Sequence, residues 1–118
     1  MKVNFNQAFK NFDGSDIQET YEAIEKEIVN GKEIEVTKNK LRPKLVSVTV
    51  ASILFIGKDC TNAEEKMMAF SLSQRIYNAK EAVDITAEEA SLIKRLIADS
   101  LMAGAYAQIA NLVEGNFK

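Results

Sequence analysis

The stretch PKLVSVTVASILFIG, residues 43 to 57, sets the tightest limit on the fold, because so apolar a run has to be covered by protein or by lipid. The 13 residues between Lys44 and Lys58 include Ser47, Thr49 and Ser52. A helix that crosses a bilayer takes about 20 mostly apolar residues, so a membrane span is the weakest of three readings. As a strand, Val46, Val48 and Val50 alternate with Ser47, Thr49 and Ala51, and β-branched side chains suit that state. As a helix, Leu45, Val48, Ser52 and Phe55 share one side while Val46, Val50 and Ile53 fill another. Pro43 fits the first turn of such a helix, where its missing N–H costs nothing, and Gly57 fits its end. The length exceeds the usual strand of about 5 to 6 residues, and the helices that follow need a central element. A helix buried nearly all round is therefore favoured over a strand.

Two capping patterns announce those helices. TNAE at 61–64 and TAEE at 86–89 each set a Thr three residues before a Glu, the spacing at which hydroxyl and carboxylate reciprocally satisfy a first turn. After the first, Met68, Leu72, Ile76 and Ala79 form a stripe that Met67, Phe70 and Tyr77 widen. After the second, Ala90, Ile93, Leu96, Ile97 and Leu101 do the same, and Tyr106, Ile109, Leu112 and Val113 follow a break near Gly104. Toward the start, Val3, Phe5 and Phe9 suit a short half-buried strand, and Asp13-Gly14 supplies a turn. Ile17, Tyr21, Ile24 and Ile28 recur at helical spacing between Ser15 and Gly31, which predicts an amphipathic helix ending near Asn30. EIEVT at 33–37 then alternates as a strand, expected to pair with the first one.

At 118 residues, 47% of them hydrophobic, the chain suits a single domain over residues 1 to 118. One proline, five glycines and 27% charged residues fit an ordinary globular composition. The net charge of -2 argues against general nucleic-acid binding and adhesion to a membrane surface, both of which need a cationic excess. Cys60 is the single cysteine, so neither an intramolecular disulfide nor a cysteine-based zinc cluster can form. The opening MKVNFNQAFKNFDG has no apolar signal-peptide core, so a cytoplasmic protein is expected.

The absence of histidine removes Ser-His and Cys-His nucleophile pairs and most transition-metal sites. Phosphate-cradling and EF-hand spacings are missing as well. Glu64, Glu65, Glu88 and Glu89 could in principle converge as a metal or acid–base site, but acidic residues belong in the first turns of helices. Asp84 suits a turn, and Cys60, with only Lys58 as a basic neighbour in sequence, reads as a quiet thiol. Lys38, Lys40, Arg42 and Lys44 form a basic alternation in a predicted loop, a candidate phosphate contact that the glutamates at 19, 22, 25 and 27 can neutralise. Met67, Met68, Phe70 and Tyr77 occupy more of their helix than a small core can cover, which makes them a candidate partner or self-association face.

The run RIYNAKEAVDITAEEASLIKRLI from Arg75 resembles small uncharacterised proteins encoded by tailed phages and prophages. The positions that carry the resemblance are Phe5, Asp13, Gly14, the 45–56 segment, Ile76, Tyr77, Val83, Asp84, Ile85, Thr86, Glu89, Leu92, Ile93 and Lys94. Residues 16 to 30 depart from that pattern as an insertion, and Ala103 stands where a helix breaker is expected. The resemblance implies a phage or prophage context, a helical 45–56 segment and no catalytic residues.

The resulting expectation is a mainly helical α+β domain, with a two-stranded N-terminal element on four to five helices. Its expected role is non-enzymatic: docking on itself or on a phage or host protein, as an assembly helper or an inhibitor of a host system. No cofactor, metal or membrane is expected. The alternative is a nucleic-acid-binding regulator using residues 38–44, and an enzyme built on carboxylates and Tyr has the least support.

Overall fold

Ile24 and Ile28, placed by their spacing on the inner side of a helix, stand in a β-strand, 70% and 79% exposed. The computed structural model describes residues 1–115 of the protein. Along them run β1 (Lys2–Val3), β2 (Gln18–Val29), β3 (Lys32–Pro43), α1 (Val46–Ile56), α2 (Ala63–Asn78), β4 (Val83–Asp84), α3 (Ala87–Ala98) and α4 (Ala103–Glu114). The class is α+β and mainly helical, with the longer strand pair on the N-terminal side of four helices.

The segment predicted as an amphipathic helix is β2, and EIEVT lies within β3, not beside β1. The two strands pair antiparallel over their whole length, from Gln18↔Pro43 to Val29↔Lys32. Asn30-Gly31 closes the loop with φ +52° and +77°, the paired left-handed residues of a two-residue type I′ turn. That turn matches the strands' right-handed twist, and twelve residues extend about 40 Å at strand rise. Neither strand lies along a helix of the body. The hairpin is therefore an arm. Its projection explains the 60 × 37 × 26 Å extents and a radius of gyration of 17.6 Å, against about 13.5 Å for a compact chain of this length.

The arm is clamped at its base by the backbone of Phe9. Phe9 N–H donates to Lys44 O at 2.9 Å, Ile17 N–H to Phe9 O at 2.8 Å, and Lys44 N–H to Ile17 O at 2.8 Å. The ring of Phe9 is meanwhile buried in the core. The side-chain amide of Gln108 in α4 also grips Lys10, accepting from its N–H at 2.8 Å and donating to its carbonyl at 2.9 Å.

Residues 45–56 resolve as helix from Val46, with Leu45 as the N-cap. No side chain caps it. Its first free donors instead reach the preceding chain, Val46 N–H to Gln7 O at 2.8 Å and Ser47 N–H to Phe5 O at 2.9 Å. Gly57 ends it at φ +53°, donating to Ile53 O. Val46, Val50, Ala51 and Leu54 are buried against α2 and α3, in one core with Phe5, Leu72, Ile76, Ile93, Ile97 and Ile109. Burial is one-sided: Val48, Phe55 and Ile56 face outward.

TAEE forms the reciprocal box as read, with Glu89 N–H donating to Thr86 Oγ1 and Thr86 N–H to Glu89 Oε1. TNAE is shifted by one. Asn62 is the cap of α2, accepting from Glu65 N–H at 2.8 Å, while Glu65 reaches back to the N–H and hydroxyl of Thr61. The N-terminal strand is only Lys2–Val3, and it pairs with β4, although Phe5 and Phe9 are buried as their pattern implied. Asp84, expected in a turn, lies in β4 opposite Lys2.

Because the arm lies outside the core, truncation should discriminate sharply between the two regions. In urea denaturation, Leu72→Ala is expected to cost about 2–5 kcal/mol, whereas Ile24→Ala should cost at most about 1 kcal/mol, the scale of a cross-strand pair. A core-sized loss at Ile24 would place residues 17–30 on the body as a helix.

Candidate interaction site

Among the described residues, two faces lack a covering element, and each follows from local sequence. On the body, α1 is apolar nearly all round but packs on one side only. Its outward residues are Val48, Phe55 and Ile56, of which Phe55 and Ile56 adjoin α2 at Phe70, Gln74 and Tyr77. Met67 is 68%, Phe70 47% and Tyr77 64% exposed, so three of the four proposed face residues stand in the open. Met68 does not join them: it is half-buried against the core. Phe55 and Phe70 meet with ring centroids 5.9 Å apart, tilted by 47°, a favourable aromatic geometry. Beside that pair, Ala51, Ser52, Phe55, Ile56, Ser73, Gln74 and Tyr77 line an open groove of about 310 Å³. The stripe on α2 is legible from its spacing, whereas the contribution of α1 is not, because a run apolar on both sides does not show which side the core takes.

The second uncovered face is the arm. Its odd-numbered β2 residues share a side with the even-numbered residues of β3, and there the charges pair across the strands. Lys38 meets Glu27 at 2.6 Å and Glu25 at 3.4 Å, Lys40 pairs with Glu25, and Arg42 pairs with Glu19 at 3.3 Å. The Arg42 guanidinium also sits 4.6 Å from the centre of the Tyr21 ring. The hydrogen bond from Lys40, with its charge, holds the Glu25 carboxyl below its usual range, and Glu27 and Glu25 raise Lys38. The basic alternation thus lies in a strand, not a loop. Three of its cations are matched by glutamates one strand away, and Lys44 sits at the base, where its backbone makes the clamp. The opposite side of the arm carries Thr20, Glu22, Ile24, Lys26 and Ile28, with Leu41 67% exposed on β3.

Of the acidic residues at the helix starts, Glu64, Glu65 and Glu88 line one open cleft of about 650 Å³ between α2 and α3, together with Met68, Leu92 and Arg95. Glu65 accepts from the backbone N–H of Thr61, from Arg95 at 2.6 Å and from the Thr61 hydroxyl, which together bring its carboxyl down to about 2. Glu89 is partly buried, which alone would raise it, but Arg75 at 2.7 Å and the Thr86 N–H outweigh burial and hold it low. Arg75 also donates to the carbonyl of Asp84. Among the described residues no group of three or more acidic or cysteine side chains is placed to hold a metal ion, and no helix is long and apolar enough to cross a membrane. Cys60 is half-buried against the core.

The low Glu65 value has a definite sign. Unfolded, this carboxyl titrates near 4.5, so its contribution to stability is present above that pH and is lost as pH falls from 4.5 toward 2. Thermal melts between pH 6 and 2.5 should therefore show wild type losing stability faster than Glu65→Gln. Parallel curves would remove the Thr61–Glu65–Arg95 cluster as the cause.

Comparison with family models, with curated proteins and with solved structures returns no match, so the functional reading rests on these two uncovered faces.

Proposed function

We propose that this is a non-enzymatic accessory protein that works by docking on itself or on other protein surfaces, in the phage or prophage setting that its resemblance implies. Assembly helper and inhibitor of a host system are the two roles that fit. The observation that carries this reading is the division of apolar surface. A complete core is built from the four helices and the N-terminal segment, yet Phe55, Ile56, Phe70 and Tyr77 are left side by side in the open. A contiguous exposed apolar patch that the domain's own packing does not need is the usual mark of an interface.

The nucleic-acid alternative draws less support, because Lys38, Lys40 and Arg42 already face Glu25, Glu27 and Glu19. A phosphate backbone would have to displace those carboxylates and meet an acidic chain overall.

The test is reconstitution. A protein captured from host lysate is purified and titrated calorimetrically against wild type and against Phe55→Glu and Tyr77→Glu. A buried charge in the groove should weaken the complex at least ten-fold. Undiminished affinity in both variants would contradict the role of this face. In parallel, salt-dependent DNA or RNA binding that is lost in the Lys38→Ala/Lys40→Ala/Arg42→Ala variant would favour the alternative.

A further inference from the structure

The arm leaves two strand edges open, and the residues along one of them are complementary to themselves. Val29 and Lys32 flank a two-residue turn and so form a hydrogen-bonded pair. Alternation from that point directs the backbone N–H and C=O of the even-numbered residues of β2, and of the odd-numbered residues of β3, away from the hairpin. Unpaired strand edges of this length are templates for a further strand. A lone two-stranded ribbon is marginal, whereas four strands are not.

We propose that two copies of this chain associate through their arms, the free edge of β2 pairing antiparallel with β2 of the second copy about a two-fold axis at Ile24. This deepens the reading of the chain as an interaction protein and rests on it.

Charge selects the strand and the register. With Ile24 opposite its own copy, Glu22 faces the second copy's Lys26 and Lys26 its Glu22. Thr20 then meets Ile28, while on the other side Glu19 meets Val29, Tyr21 meets Glu27, and Ala23 meets Glu25. No two like charges stand opposite. Shifting the register one step toward the base opposes Glu19 and Glu27, and one step toward the tip opposes Glu25 with itself. Directly opposed like charges are destabilising in a sheet.

The edge of β3 offers no such solution. Centred on Thr37 it sets Arg42 against Lys32, centred on Lys38 it opposes Lys38 with itself, and centred on Asn39 it sets Lys38 against Lys40. Pro43, which has no N–H to give, stands at an outward position of that same edge. Side-by-side pairing of β2 with a neighbour's β3, both arms pointing the same way, would space the copies by two strands, about 10 Å. The molecule measures 26 Å across its narrowest axis, so the bodies would collide. The two-fold arrangement puts them at opposite ends. It also brings together Ile24 of both copies and covers Ile28, side chains the monomer leaves 70% and 79% exposed.

Light scattering across a dilution series, with proline variants, tests this. Wild type should have twice the 13.1 kDa chain mass at high concentration. Ile24→Pro removes an outward N–H without touching the hairpin's own ladder, and should give a monomer that melts where dilute, dissociated wild type does; Thr37→Pro, on the other edge, should remain dimeric. In a Cys60→Ser background, Ile24→Cys should oxidise to a covalent dimer, because hydrogen-bonded pairs lie about 5.5 Å apart at Cα, and Thr37→Cys should not. A monomeric wild type, or association lost through Thr37→Pro and kept in Ile24→Pro, would overturn the inference. The docking role of the Phe55 groove would fall only on the separate calorimetric result.

Discussion

The left-handed dipeptide Asn30-Gly31 is the constraint on which the rest of this architecture depends. Once two consecutive residues take positive φ, the chain reverses within a two-residue loop, and the register of twelve following pairs is set. Glu25 then faces Val36, with Lys38 and Lys40 the next two residues of β3 on that side toward the base, so the charges of the two strands interlock along one side. The same turn carries Ile24 and Ile28 beyond the reach of any helix. A residue without that conformational freedom at position 31 would compromise turn, register and ion pairs together.

At the other end of the arm, the backbone of Phe9 joins what the turn separates. Its N–H and C=O tie Lys44 to Ile17, and its ring enters the core shared by α1, α2, α3 and α4. The arm is thus firmly rooted and freely extended. Body and arm differ in how they hold together. Burial of side chains such as Leu72, Ile93 and Ile97 stabilises the first, while a backbone ladder with exposed ion pairs maintains the second. Surfaces left over from each, the groove beside Phe55 and the edge of β2, are where another protein could add burial that the monomer lacks.

The sequence was legible where one period was decisive. Thr86 with Glu89 and the stripe of Leu72 and Ile76 lie where their spacing put them, whereas the break expected at Gly104 falls at residues 99–102, leaving Gly104 inside α4 and Leu101 outside α3. The Val-rich 46–56 segment read correctly as helix only because of its length and its surroundings, and its one-sided burial could not be seen from a pattern apolar on both sides. Residues 17–30 failed for a physical reason. Ile17, Tyr21, Ile24 and Ile28 fit a 3.6-residue period by coincidence, while each side of the actual strand mixes apolar and charged residues, Tyr21 and Ala23 with Glu25 and Glu27, and Ile24 with Glu22 and Lys26, so no alternation of period two marks it. Asn30-Gly31 is the one local signal that points to a hairpin there. Of the candidate face, Met67, Phe70 and Tyr77 were legible, while Phe55 needed three dimensions, because its exposure depends on which side of α1 the core takes.

The central claim is that residues 18–43 form a β-arm outside the helical core. Nuclear Overhauser spectroscopy of the backbone addresses it most directly. Ile24 and Thr37 form a non-hydrogen-bonded pair in this register, a geometry that brings their α-carbons to about 4.5 Å. A strong Hα–Hα contact between Ile24 and Thr37, with another between Thr20 and Leu41, is the result this account predicts. Sequential amide–amide contacts through residues 17–30, with Ile24 touching side chains of α1 or α2, would contradict it.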